Sequence, residues 1–225
     1  MTTTPRFDPF GPIHKAIRFA LTQLLCRMGS TDFREPGRAE AIAKELELVT
    51  ALSDDHLRTE EAIVLPALRS RLAGDLATVD AAHRHHGRLV SELRASAAAV
   101  VSVPAERRAV AGRTLYLHFG TFVSESLAHM SDEELVVSPL LERFFTDDEL
   151  RSLHASVMAM LTLEEHARGA RFLLPALSPR ERIALVEDAI ATLPREAVLA
   201  LLEIARPTMQ EGDLAELLAL TGLAA

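Results

Sequence analysis

The sequence predicts an all-α protein, an up-down-up-down four-helix bundle followed by a C-terminal helical extension. Three observations carry this. The 225 residues are 48% apolar and 25% charged, with no Trp and one Tyr, and they are rich in Leu, Ala, Glu and Arg, which favour helix over strand. Apolar residues recur at helical spacing through four long stretches. Short Gly- and Pro-containing breaks separate those stretches.

Each element follows in chain order. Gly11-Pro12 opens the first stretch, in which Ile13, Ile17, Leu21, Leu24 and Met28 share a face until Gly29-Ser30. A polar loop then leads to a second stretch with Ile42, Leu46, Val49, Leu52, Leu57 and Ile63 in phase. Gly74-Asp75 ends it, and the third helix runs from Leu76 to Val103. Pro104 suits the first turn of the fourth helix, which carries Leu115, Phe119, Phe122 and Leu127 and reaches Phe144. Four long helices joined by short breaks argue for antiparallel neighbours. The domain limits expected are 8–146 for the bundle and 147–225 for the extension. Shorter helices fill the extension, punctuated by Pro175, Pro179, Pro194, Pro207 and Gly212.

The charge and cysteine content exclude several classes. A net charge of −8 argues against a nucleic-acid-binding body and against electrostatic attachment to a membrane. The single cysteine, Cys26, rules out an intrachain disulfide framework and is expected to be a small core residue. Met1–Phe10 lacks the apolar run of a secretory leader, and no segment has the ~20 apolar residues of a membrane span, so a cytoplasmic location is expected. Nine histidines in an acidic helical chain remain to be explained.

An internal repeat explains part of them. The segment His56–Leu68 aligns without gaps on His129–Leu141, with six of thirteen positions identical, among them the His, both Glu and the Pro. A similar offset carries His83 to the neighbourhood of His14. The chain therefore reads as a duplicated helical hairpin: one His early in the first helix, then His-x-x-x-Glu late in the second. Residues four apart on an α-helix lie about 40° apart and about 6 Å along the axis, so His56 and Glu60 share a face, as do His129 and Glu133. Counted from the two hairpin turns, His14, His56, His83 and His129 come to heights that differ by about one or two turns.

Two carboxylates facing each other in a core are costly unless they are protonated or bridge a cation. Imidazole with carboxylate suits iron, manganese or zinc. Two octahedral metals offer about twelve positions; four His, two bridging Glu and a bridging oxo or hydroxo fill about ten. About two stay open for a small ligand. The expected metal ligands are His14, His56, Glu60, His83, His129 and Glu133, with no separate catalytic residue.

On these motifs the chain resembles the hemerythrin-like (HHE cation-binding) domain family over residues 8–146. The resemblance rests on Pro9-Phe10-Gly11-Pro12-Ile13-His14, on His56-x-x-x-Glu60 and on Leu127-Ala128-His129-Met130-Ser131-Asp132-Glu133-Glu134, with His83-Arg84-His85-His86 supplying the third helix. It implies a four-helix bundle with a non-haem centre of two iron ions that binds or reacts with O₂, NO or peroxide; manganese and zinc fit less well. Ferritin-like proteins match less well, because their signature is Glu-x-x-His. Oxygen-carrying hemerythrins have two His four apart on the third helix and a final Asp five residues after its His. Here His83 and His86 are three apart and the last carboxylate is Glu133, which favours sensing, iron handling or stress response over oxygen transport. The alternative is an iron- or redox-responsive regulatory module without turnover, whose C-terminal helices engage a partner or a second copy. A hydrolytic zinc or manganese site is a weaker fit, since no nucleophile accompanies the cluster.

The other candidates divide. His86 could be a ligand, a hydrogen-bond partner or solvated. His85 is expected to face solvent, His118 to be a core or interface histidine, and His154 and His166 to be structural. Glu61 and Glu134 are open between surface pairing and support of a ligand. Pro66 and Pro139 are expected to kink or end their helices.

Overall fold

A computed structural model describes residues 6–224 as helices joined by short loops. Among the described residues there is no strand, and no helix is long and apolar enough to cross a membrane. The helices are α1 (Gly11–Ser30), α2 (Arg38–Thr59), α3 (Leu65–Arg69), α4 (Ala77–Ser102), α5 (Ala105–Asp132), α6 (Ser138–Phe144), α7 (Asp147–Met160), α8 (Leu163–Ala176), α9 (Pro179–Thr192), α10 (Arg195–Ala205) and α11 (Asp213–Leu220). The chain forms two compact units. Residues through Phe10 group with Ala20–Met160, and Gly11–Phe19 groups with the chain from Leu161 onward.

In the first unit, α4 packs against both α2 and α5. The directions follow from paired contacts. His83 meets the ring of His129, His86 meets Phe122, and Ser96 meets His118, so α5 runs antiparallel to α4. Likewise Glu61 meets His83 while Glu47 and Asp54 meet Arg94, so α2 is antiparallel to α4 as well. The buried faces keep the helical period: Ile42, Leu46, Val49, Leu52 and His56 on α2, His83, His86, Val90, Leu93, Ala97 and Val100 on α4, and Leu115, Phe119, Phe122, Ser126 and Met130 on α5. Gly112 is needed where it stands, because a Cβ there would lie 2.4 Å from the Phe33 ring.

Of the kink or end expected at Pro66 and Pro139, the end is not found. Neither helix stops; each passes through a π-helical turn, Glu60–Val64 and Glu133–Val137, into α3 and α6. The N–H of Leu65 bonds to the carbonyl of Glu60, and that of Ser138 to Glu133, both at i→i−5. In α geometry a proline ring meets the carbonyl four residues back, and the wider turn absorbs that conflict. From the ends of these turns onward, Val64, Leu65, Leu68, Val137 and Leu141 join Phe10, Leu76, Phe145 and Leu150 in one apolar cluster, against which Leu153 and Val157 of α7 also pack.

One residue differs from expectation. Cys26 is exposed. It follows Leu24 by two positions, about 200° round the helix from the buried stripe of Leu21, Leu24 and Met28. His118 lies outside the core: it is exposed and bonds Ser96 through Nδ1 at 3.0 Å. Eleven residues from His129 leave an offset of about 20°, enough to carry it past the edge of the α5 stripe.

The second unit has its own apolar cluster of Leu174, Val186, Val198, Leu202, Ala205, Leu214, Leu217 and Leu223. Thr162 and Glu165 form a capping box on α8, and Ser178 and Glu181 form one on α9. Glu165 is thereby accounted for as a cap. Arg182 reaches the carbonyl of Leu177 at 2.9 Å and pairs with Asp213, joining the end of α8 to the start of α11.

Candidate metal centre

Five of the six expected ligands converge in the first unit. His56 comes from the last turn of α2, His83 from the second turn of α4, and His129 from the last turn of α5. Glu60 and Glu133 are the first residues of the two π turns. Glu60, His83, His129 and Glu133 each offer a ligand atom within 4.8 Å of the others. His129 Nε2 lies 2.9 Å from Glu133 Oε1. His83 Nε2 lies 3.5 Å from Glu133 Oε1 and 3.7 Å from Glu60 Oε2. His56 Nε2 lies 3.8 Å from Glu60 Oε2 and 3.9 Å from Glu133 Oε2. The sixth, His14, is completely buried on α1, in the segment that groups with the second unit.

Electrostatics make the cluster costly as it stands. Glu60 and Glu133 are each 1% exposed. Burial, reinforced by the charge of Glu133, holds the Glu60 carboxyl well above its ordinary value. With both carboxyls ionised, neither oxygen of Glu60 has a donor to accept from, and His83 Nε2 has no hydrogen-bond partner. Most buried polar groups in folded proteins are paired, and an unmet carboxylate is among the most expensive to leave. A divalent cation between these atoms would meet all of them at once. Three imidazoles with two carboxylates form a nitrogen–oxygen donor set of the kind that iron, manganese and zinc accept. The residues present therefore fit a metal.

The sequence of the hemerythrin HHE cation binding domain family matches residues 12–141. The chain belongs to that family. Comparison with curated proteins and with solved structures finds no match. In this hemerythrin-family domain, every donor described above falls inside the matched segment.

The surroundings settle residues that the sequence left open. Glu61 braces one of the expected ligands: His83 Nδ1 lies 3.0 Å from Glu61 Oε1, so Nδ1–H donates outward and Nε2 is left facing the cluster. Glu134, its counterpart in the second copy, is half-buried. His85 faces solvent, bonded to Glu125 and Arg88. His154 is exposed and packs edge-on against Phe7. His86 is buried, with its ring 4.8 Å from that of Phe122. Burial first, then the imidazoles of His129, His83 and His56, push its pKa down to about 3. Ser126 is a buried polar residue that sequence reasoning passed over. Its signal was a position three before His129, mirroring His86 three after His83.

Proposed function

We propose that this hemerythrin-family protein is a non-haem di-iron protein that binds or reacts with O₂, NO or peroxide in sensing, iron handling or stress response. The observation that carries it is the pair of facing carboxylates, Glu60 and Glu133, buried among His56, His83 and His129. Glu60 and Glu133, with His56, His83, His129 and His14, would hold the iron, the carboxylates supplying oxygen and the imidazoles nitrogen. Bound iron supplies open coordination positions and one-electron redox chemistry for a small ligand. The chain's own part is to fix the donors on rigid helices, to orient His83 through Glu61, and to keep the site dry with the apolar cluster beyond the π turns.

The finer architecture belongs to the same reading: an up-down-up-down four-helix bundle over 8–146 in a cytoplasmic protein, with 147–225 as a packing extension. Exposed apolar side chains such as Leu163 and Leu220 support engagement of a second copy or a protein partner by the C-terminal helices.

Anaerobic reconstitution with ferrous iron followed by metal analysis tests the proposal. About two irons per chain and a near-ultraviolet to visible absorption are expected, and both should be lost in His56→Ala and Glu133→Ala. Purified protein that takes up no iron would overturn it. A regulatory module without turnover is favoured by one observation: the buried Glu60 carboxyl, held well above its ordinary value, makes the stability of the fold depend on metal. Proteolysis that accelerates on chelation, with no consumption of peroxide, O₂ or NO by the iron-loaded protein, would select that reading.

A further inference from the structure

The metal donors do not account for all the buried polarity in this core. His83 and His129 face each other across α4 and α5, with ring centroids 4.9 Å apart. Three residues further along α4 is His86, and three residues back along α5 is Ser126. Because the helices are antiparallel, both steps move the same way along the axis, by about 4.5 Å. His86 and Ser126 therefore occupy the next layer together. They are 8% and 5% exposed, and neither His86 Nε2 nor Ser126 Oγ has a hydrogen-bond partner. Below them the layer is closed by Phe122, against the His86 ring, and by Phe119 stacked on Phe122 at 6.1 Å. Two unmet polar groups thus lie between the donor cluster and an aromatic floor.

We propose that His86 and Ser126 are the ligand-binding wall of the metal site. Their Nε2–H and O–H donate hydrogen bonds to a small anion of two or three atoms seated beside the metal donors. The proposal rests on the metal reading above. His86 here contacts the anion and is not a seventh metal ligand. The low basicity of its imidazole keeps it neutral, and a neutral ring that donates through Nε2 can hold an anion without itself competing for metal. Phe122 fixes the ring plane and so the direction of that donor.

The test uses the full chain loaded with iron and oxidised, with azide as the probe and iron content measured in every sample. His86→Leu and Ser126→Ala should keep the wild-type iron content and bind azide about tenfold more weakly each, the loss expected for one hydrogen bond. His86→Gln, which keeps an N–H donor, should recover part of the affinity. Ser126→Ala removes a single atom and carries the test if the leucine variant does not fold. Loss of about half the iron in His86→Leu would make His86 a ligand and overturn the proposal. Unchanged azide affinity, or wild type that loads iron but binds no azide, would overturn it while leaving the metal reading intact. Failure of wild type to load iron removes the metal reading, and this one with it.

Discussion

Glu61 holds His83 from behind: its carboxylate lies 3.0 Å from Nδ1, while the neighbouring Glu60 lies 3.7 Å from Nε2 of the same ring. Two consecutive residues thus address opposite nitrogens of one imidazole. The inner one belongs to the donor cluster, and the outer one, 56% exposed, sets the tautomer.

Removing that outer contact should weaken metal binding without abolishing it. Glu61→Ala is expected to lower iron affinity by roughly 10–100-fold, with Glu61→Gln between it and wild type. Competition against a chromogenic chelator reads this directly. An affinity equal to wild type would mean that the Glu61–His83 bond is incidental.

In the metal-free protein two buried groups oppose each other in pH. The Glu60 carboxyl is held above 4.5, so its protonated form favours the fold; that stability is present below 4.5 and is lost as pH rises through the folded value. His86 is pushed from 6.5 down to about 3, so its contribution is present above 6.5 and is lost as pH falls toward 3. Tm of the metal-free protein should pass through a maximum between these limbs. Glu60→Gln should flatten the alkaline limb and His86→Leu the acid one, as followed by circular dichroism melts across pH.

Metal should reverse the alkaline loss, since a cation replaces the proton on Glu60. Iron at about 100 times its dissociation constant is expected to stabilise the fold by about 2.7 kcal/mol, measured as the rise in Tm between chelated and reconstituted samples. The gain should shrink in Glu60→Gln, because the amide offers the cation no anionic oxygen.

Gly112 is a stability test remote from the metal. A methyl group there would lie 2.4 Å from the Phe33 ring, so Gly112→Ala is expected to cost about 1–3 kcal/mol and several degrees of Tm. Gly29→Ala is the matched control, since its Cβ would only touch the Tyr116 ring at 3.4 Å. A melt in which both variants match wild type would contradict the close packing.

Within the second unit, Arg182 links the carbonyl of Leu177 to Asp213 while being mostly buried. Arg182→Ala should destabilise that unit by about 1–3 kcal/mol, mainly through the unmet carbonyl and carboxylate left behind. Hydrogen exchange at α11 amides would register it as faster opening, with α4 amides unaffected.

The helices and the donor types were legible because both depend on spacing along one chain. His56 and Glu60 are set by helical period, and duplication in His129 and Glu133 raised a common pattern to a specific one. Cys26 was misplaced, and His118 left open between core and interface, because a periodic stripe has edges, and a residue near an edge is decided by tens of degrees that spacing does not resolve. Ser126 was passed over because its polarity matters only opposite His86, a relation between helices. The π turns were hidden for another reason: Pro66 and Pro139 showed that α geometry must fail there, but not whether the chain would break or widen.

Those two turns have a structural consequence of their own. Each inserts one surplus residue immediately after the His-x-x-x-Glu face, which advances the following residues by about a third of a turn. The same rod can then aim histidine and carboxylate at the centre on one side of the junction, and Leu65 and Leu68, or Leu141, into the apolar cluster on the other. An uninterrupted α-helix of this sequence would align one of these faces and misdirect the other. The surplus residue in each copy acts as a phase shifter that lets one helix both carry the site and seal it.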